Sequence, residues 1–101
     1  SIRDTDRSRW TGVGPITDRI EEIILISLKG REVNLERKGI EGESGLFLLR
    51  GDIDGIEASF GIRNSGTEAK TSLSIRAKTE INGLEEIAEK ISDLLQMELV
   101  P

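Results

Sequence analysis

Residues 63–70, here called the donor loop, read Arg-Asn-Ser-Gly-Thr-Glu-Ala-Lys and group the hydrogen-bond donors that a bound anion needs. Arg63 carries a planar, permanently charged fork that can hold two phosphate oxygens at once. Gly66 lets the backbone turn tightly and present its N–H groups to a ligand. The other uncharged donors are one amide and two hydroxyl groups, on Asn64, Ser65 and Thr67. This composition predicts a phosphate site, with an ordinary polar connection as the alternative.

The hydrophobic pattern on either side predicts that the donor loop joins two strands. Residues 56–62 alternate between apolar and polar side chains, and residues 72–78 do the same. Arg63 then comes directly after a half-buried strand, which fixes the direction of its side chain. On the second strand Arg76 and Lys78 point to one side, where they either extend the positive field around a ligand or form a solvated face.

The remaining elements predict two helices around a sheet. Pro15 and Thr17 indicate a helix, with Thr17 as the cap and Gly30 as the stop. A helical period follows at Ile20, Ile23, Ile24 and Leu28. A second amphipathic helix follows Asn82, which with Glu85 resembles a capping box. Two more strands are expected at residues 31–37 and 46–49, and turns at residues 38–45 and 51–55.

This order of elements predicts an α+β fold with an about four-stranded, mainly antiparallel sheet and two helices packed on one face. The domain is expected to cover residues 15–101. Residues 1–14 are polar and lack a period, which predicts a linker or a truncated end, with Trp10 docking on a surface. Asp52 and Asp54 superficially suggest a calcium loop, but the spacing lacks the further ligands, so a plain turn is favoured.

The composition excludes several kinds of chemistry. The 101 residues include no Cys and no His, which rules out disulfides, thiolate or imidazole metal ligands, and Ser-His-Asp or Cys-His catalysis. The net charge of −5 argues against nucleic-acid binding, yet residues 59–79 hold four basic side chains and one acid. A basic island in an acidic chain indicates a small anionic ligand. No apolar run approaches the roughly 20 residues that span a bilayer, so we expect a cytoplasmic protein without a membrane partner.

The donor loop resembles the phosphate-binding loop of the α-D-phosphohexomutase superfamily, which includes phosphoglucomutases, phosphomannomutases and phosphoglucosamine mutases. The C-terminal domain of these enzymes carries Arg-x-Ser-Gly-Thr-Glu-Pro-Lys between two strands, followed by a closing helix. The match at the level of the motif covers residues 62–70, within a similar pattern of elements over residues 17–96. Ala69 stands where proline is common, and Asn64 occupies a variable position.

The resemblance implies roles for individual residues and a TATA-binding-protein-like fold for the domain. Arg63, Ser65 and Thr67 would bind the phosphate of a hexose phosphate, and Gly66 would contribute its backbone. The further candidates for phosphate binding are Asn64 and Lys70. For Lys70 a solvated charge is the equal alternative. No catalytic residue and no metal ligand are implied in this domain.

Enzymes of this family move a phosphoryl group between two positions of a hexose. A phosphorylated serine donates the group, and the bisphosphorylated intermediate reorients before it returns one. The serine loop and a magnesium site of clustered aspartates lie in upstream domains, and neither pattern occurs in this chain. We therefore expect an excised domain that grips the non-reacting phosphate and is not an enzyme alone. Its expected partners are the hexose phosphate and the upstream mutase domains, with magnesium in the full-length enzyme.

The alternative function is a stand-alone module without catalysis. Its acidic helices would dock a protein partner while the donor loop serves only as a connection. A second form of this alternative is a small regulatory domain that senses a phosphorylated metabolite.

Overall fold

The computed structural model describes all 101 residues and has an α+β fold in which five strands form one antiparallel sheet. The strand order is β1-β5-β4-β3-β2, so β4 lies at the centre. The elements in chain order are β1 (Ile2–Arg3), a 3-10 helix (Arg7–Arg9), α1 (Pro15–Ser27), β2 (Val33–Arg37), β3 (Phe47–Ile53), β4 (Ile56–Asn64), β5 (Lys70–Ala77) and α2 (Leu84–Leu99).

Alternation along the central strand separates a core face from an open face. In β4 the side chains of Ala58, Phe60 and Ile62 are buried, while Ser59 and Arg63 lie on the other side of the sheet. The buried side chains of the strands and of both helices belong to one hydrophobic cluster. Both helices therefore cover the same face of the sheet, and the opposite face, called the open face below, has no helix on it.

The first helix begins three residues earlier than a cap at Thr17 predicts. Pro15 is its first residue and Gly14 is its N-cap, because proline suits a position that lacks an intrahelical N–H partner. Thr17 does not cap the helix: it is buried, and its hydroxyl has no hydrogen-bond partner. The helical period itself is confirmed, since Ile20 and Ile24 are fully buried on one stripe.

The second helix also begins without the predicted side-chain cap. Gly83, in a left-handed conformation at φ 95°, is its N-cap, and no side chain bonds to the first turn. The backbone carbonyl of Asn82 instead accepts a hydrogen bond from Arg31 Nη1 at 2.7 Å. The predicted apolar stripe is confirmed by four buried residues, Ile87, Ile91, Leu95 and Leu99. Neither helix is long and apolar enough to cross a membrane.

The fifth strand comes from the N-terminal 14 residues. Ile2 and Arg3 pair with Thr71 and Lys70 at the edge of β5. Trp10 is 3% exposed, and its indole N–H donates to Gly45 O at 2.7 Å. The segment therefore packs on the domain, which differs from the expectation of a linker and raises the strand count from four to five. Two paired residues are too few to show a period in the sequence.

The third strand extends further than the sequence predicts. The glycines and aspartates of residues 51–55 suggested a turn, but β3 continues through Ile53, which is fully buried. Gly51 keeps its place in the ladder, opposite Leu35 and Ala58. The turn itself is confined to Asp54 and Gly55, which have φ values of 52° and 78°.

Candidate functional site

The donor loop connects β4 and β5, which pair over seven residues. Residues 65–69 leave the end of β4 and return at the start of β5. The register places Arg63 opposite Ser72 and Asn64 opposite Thr71. The N–H of Ser65 donates to Lys70 O at 2.8 Å and closes the base of the loop. Two neighbouring strands thus hold both ends of the donor loop at fixed positions.

Arg63 projects from the open face next to the loop. Its neighbour Ile62 is fully buried in the core, so alternation directs the guanidinium to the other side. The side chain is 61% exposed, and its only ion pair is with Glu43, at 3.5 Å between Nη1 and Oε1. An exposed pair at this distance contributes little to stability. The guanidinium is therefore accessible to an anion that displaces Glu43.

Ser65 organises the turn through its hydroxyl oxygen. This oxygen accepts the N–H of Thr67 at 3.3 Å and the N–H of Glu68 at 3.2 Å. Such hydroxyl-to-backbone bonds are typical of short turns led by serine. Because the oxygen acts only as an acceptor in these bonds, the hydroxyl proton of Ser65 is free to be donated to a ligand.

Several other donors of the loop have no partner within the protein. The N–H groups of Gly66 and Ala69 bond to no backbone or side-chain acceptor. The hydroxyl of Thr67 likewise makes no hydrogen bond, and all three residues are exposed. Nothing lies within 4 Å of the position that a Cβ atom on Gly66 would take. A ligand can therefore approach this backbone closely.

The side chain of Asn64 is engaged in hydrogen bonds that hold the fold together. Its amide Nδ2 donates to Arg7 O at 3.1 Å and to Trp10 O at 3.4 Å. Its Oδ1 accepts the hydroxyl of Thr71 at 2.8 Å. The side chain therefore ties the N-terminal segment to the base of the loop and has no donor left for phosphate.

Lys70 forms one ion pair, with Glu68 of the same loop. Its ammonium lies 3.5 Å from Glu68 Oε2, and its side chain is 32% exposed. An exposed pair of this kind is weak. Lys70 can therefore serve either as a solvated charge or as a further cation for an anion bound beside it.

An open pocket of about 480 Å³ lies beside the loop. It has no hydrophobic lining residue and is formed by Glu43, Arg63, Asn64, Ser65, Gly66, Lys70 and Ser72. The pocket thus brings five predicted site residues together, whereas Thr67 lies outside the lining; the five are Arg63, Asn64, Ser65, Gly66 and Lys70. The pocket carries two cations and one carboxylate, so a bound anion that replaces Glu43 would face positive charge.

Two residues beside the loop were not predicted from the sequence. Glu43 comes from the turn before β3, and Arg7 donates from Nη2 to Gly66 O at 3.3 Å. Asp6 begins the short helix that carries Arg7; its carboxylate accepts the hydroxyl of Ser8 at 2.6 Å and the N–H of Ser8 at 3.0 Å. These bonds, with a smaller contribution from Arg9, lower the pKa of Asp6 below its usual value. No local pattern in the sequence signals Glu43 or Arg7 as part of the site.

No group of three or more carboxylates in the structure is close enough to hold a metal ion together. Asp54, in the turn once compared with a calcium loop, uses its carboxylate for Arg31 and for the N–H of Glu32.

Searches of protein-family models, curated proteins and solved structures give no match to this chain. The fold and the site together define an α+β domain with a donor-rich loop between two central strands.

Proposed function

We propose that this chain is the C-terminal domain of a phosphohexomutase of the phosphomannomutase or phosphoglucomutase type. The donor loop would grip the non-reacting phosphate of a hexose phosphate during intramolecular phosphoryl transfer. The observation that carries this proposal is the set of accessible donors on one loop: the guanidinium of Arg63, whose one partner is the exposed Glu43, the hydroxyl proton of Ser65 and the N–H of Gly66. A TATA-binding-protein-like topology and a cytoplasmic location belong to the same proposal.

The chemistry of the loop fits a positioning role. Phosphoryl transfer depends on accurate placement of the reacting groups and on neutralisation of charge. Arg63 would hold two phosphate oxygens with its fork, and the loop would add hydroxyl and backbone donors. The dianion would compete with the carboxylate of Glu43 for the guanidinium. The distance between the gripped phosphate and the reacting one would then be fixed by the hexose ring.

The domain cannot complete the reaction alone. It has no serine–histidine loop, and its carboxylates form no group that could hold magnesium, so no step of the proposal runs through a metal bound here. Upstream domains would supply the phosphoserine and the magnesium site. The present domain would close over the substrate and position it, as mobile domains do in many transferases.

The substitution Arg63→Ala tests this proposal. It should weaken binding of a hexose phosphate roughly 10- to 100-fold, because a charge-assisted hydrogen bond is worth about 1.5–3 kcal/mol. An NMR titration of the domain measures the dissociation constant, since one loop offers only part of a cleft and binds weakly. The matched control is Arg19→Ala, which removes an unpaired arginine from α1.

Three outcomes decide whether the donor loop binds phosphate, as the proposal requires and the protein-interaction alternative does not. A large loss for Arg63→Ala with no change for Arg19→Ala supports the proposal. Equal losses in both variants would mean that only net charge matters. Undiminished binding in Arg63→Ala would contradict the proposal and leave the loop as a connection, as the protein-interaction alternative requires.

A further inference from the structure

The open face of the sheet presents cations and hydroxyl groups along β5. Alternation places five donor side chains on this face, with no carboxylate among them: Lys70, Ser72, Ser74, Arg76 and Lys78. The two phenylalanines of the sheet, Phe47 and Phe60, are buried in the core on the other side. The open face therefore offers positive charge and hydroxyl donors along β5, carries the carboxylates of Asp52 and Glu57 at one end, and has no aromatic ring.

A second cationic centre lies on this face at the level of Ser59. Arg50 and Arg76 are the direct cross-strand neighbours of Ser59, on β3 and β5. Since adjacent strands are about 4.8 Å apart, the two arginine backbones are separated by roughly 10 Å, a gap that an anion can fill. Both line an open pocket of about 380 Å³ together with Lys78.

The cations of this centre form no ion pair within the protein. Arg50, Arg76 and Lys78 have no carboxylate within ion-pair distance. Glu36 lies opposite Arg50 in the ladder but is paired with Lys38. Glu57 also lines the pocket and forms no ion pair. Arg50, Arg76 and Lys78 are all exposed, so their charges remain available to a ligand.

A clear path joins this centre to the donor loop. Ser59 and Arg63 lie on the same face of β4, four residues apart, a distance of about 13 Å along a strand. The residue between them on this face is Gly61, which places no side chain in the way. The nearest atoms to a Cβ at Gly61 would be Leu48 Cδ1 and Ser74 O, both at 3.8 Å. The path therefore runs over the backbone of Gly61, beside the side chain of Leu48.

We propose that the open face binds a linear anion made of a chain of phosphate groups. One end occupies the donor-loop pocket at Arg63, and a second group about 13 Å away lies between Arg50 and Arg76. The hydroxyls of Ser72 and Ser74 on β5 serve the intervening groups. The absence of a ring for stacking favours a chain of phosphates over a single-stranded nucleic acid, whose binding uses aromatic platforms.

One end of this site rests on the proposed function, whereas the Arg50–Arg76 centre is independent of it. Two groups held on one chain bind more tightly than either alone, because the second binding event becomes intramolecular. A linear inorganic polyphosphate that spans both centres should therefore bind at least about tenfold more tightly than pyrophosphate, which is too short to span them. The comparison is made at constant ionic strength, since salt screens exposed charges.

The test measures how much more tightly polyphosphate binds than pyrophosphate, called the gain here. Amide NMR titrations with polyphosphate and with pyrophosphate are run on the unsubstituted chain, on the double variant Arg50→Ala/Arg76→Ala, and on the control Arg19→Ala/Lys90→Ala, which removes the same charge from the helices. We expect the first double variant to lose the gain for polyphosphate while pyrophosphate still shifts residues 63–68. The control variant should retain the gain.

Each other outcome has a definite meaning. If pyrophosphate shifts residues 63–68 and polyphosphate binds no more tightly, the linear site is refuted and the proposed function stands. If neither anion shifts these residues, both proposals fall. An equal loss in the control variant would show that the gain in affinity for polyphosphate depends only on net charge. That result would refute the site. An oligothymidylate that binds as tightly as polyphosphate would assign the face to single-stranded nucleic acid and contradict the proposal.

Discussion

Two segments join neighbouring strands of this sheet and use their polar groups in opposite ways. The acidic segment (residues 51–55) ends in a tight turn whose Asp54 carboxylate accepts the N–H of Glu32 and the guanidinium of Arg31, both at 2.9 Å. These bonds lower the pKa of Asp54, the backbone bond being the larger cause. The donor loop instead keeps the N–H of Gly66 and the hydroxyl of Thr67 without partners.

The glycines of the two segments differ in the same way. A Cβ on Gly51 would lie 1.8 Å from Asn34 O, so the fold itself requires glycine at this position. A Cβ on Gly66 would meet nothing within 4 Å, and the φ of Gly66 is outside the left-handed region. Folding therefore does not require glycine at position 66. The comparison shows that the acidic segment is built for stability and the donor loop for access to its backbone.

The largest effect is expected for Gly51→Ala. The added methyl group would overlap the backbone of β2, and relief of such a clash costs on the order of 3 kcal/mol of unfolding free energy. Urea denaturation measures the loss. Gly61→Ala is the matched control in the same sheet, because its Cβ would be 3.8 Å from its nearest neighbours and should change the stability little. Equal stability of the two variants would contradict this reading of the acidic segment.

In the donor loop we expect Gly66→Ala to leave the stability intact and to weaken phosphate binding. The unfolding free energy should stay constant or rise by up to about 1 kcal/mol, because alanine restricts the unfolded chain and fits the native backbone. The affinity for phosphate should fall severalfold, since the methyl group keeps the anion away from the N–H. Denaturation and an NMR titration of the same sample separate the two effects. Lost stability with unchanged affinity would mean that Gly66 serves the fold.

A smaller effect is expected for Glu43→Gln. The substitution removes the carboxylate that competes with phosphate for Arg63, and an exposed ion pair is worth at most about 1 kcal/mol. Phosphate affinity should therefore increase about two- to fivefold. Asp54→Asn removes one charge of the same sign from the acidic segment and should leave the affinity unchanged. A similar gain in both variants would show that only the net charge had changed.

The smallest effect concerns the pH dependence of stability. The pKa of Asp54 is lowered from 3.8, so the native state favours its charged form. The resulting stabilisation is fully present at pH values well above 3.8 and is lost as the pH falls through the lowered pKa. Denaturation of the unsubstituted chain and of Asp54→Asn should thus differ at neutral pH and converge below 3.8. A difference that persists at low pH would contradict this role of the carboxylate.

The sequence predicted those features that depend on local periodicity or on a continuous motif. The apolar stripes of both helices and the alternation around the donor loop are such features. The structure departs from the prediction where residues distant in the sequence determine the local conformation. Gly51 reads as a turn residue until β2 is placed beside it, and Thr17 reads as a cap until the start of α1 is fixed by Pro15.

The same distinction holds at the candidate site. The predicted residues of the donor loop are continuous in the sequence, so their proximity needed no tertiary information. Glu43 lies 20 residues from Arg63, and Arg7 lies 59 residues from Gly66. Only the pairing of β3 with β4 and the packing of the N-terminal segment bring them to the loop.

The most direct test of the central claim is a residue-by-residue map of amide shifts during titration with inorganic phosphate. The account predicts shifts centred on residues 63–68, with Gly66 among the largest, while the amides of residues 51–55 stay in place. Shifts of equal size in both segments, or none in residues 63–68 at saturating phosphate, would contradict the claim that the donor loop is an anion site.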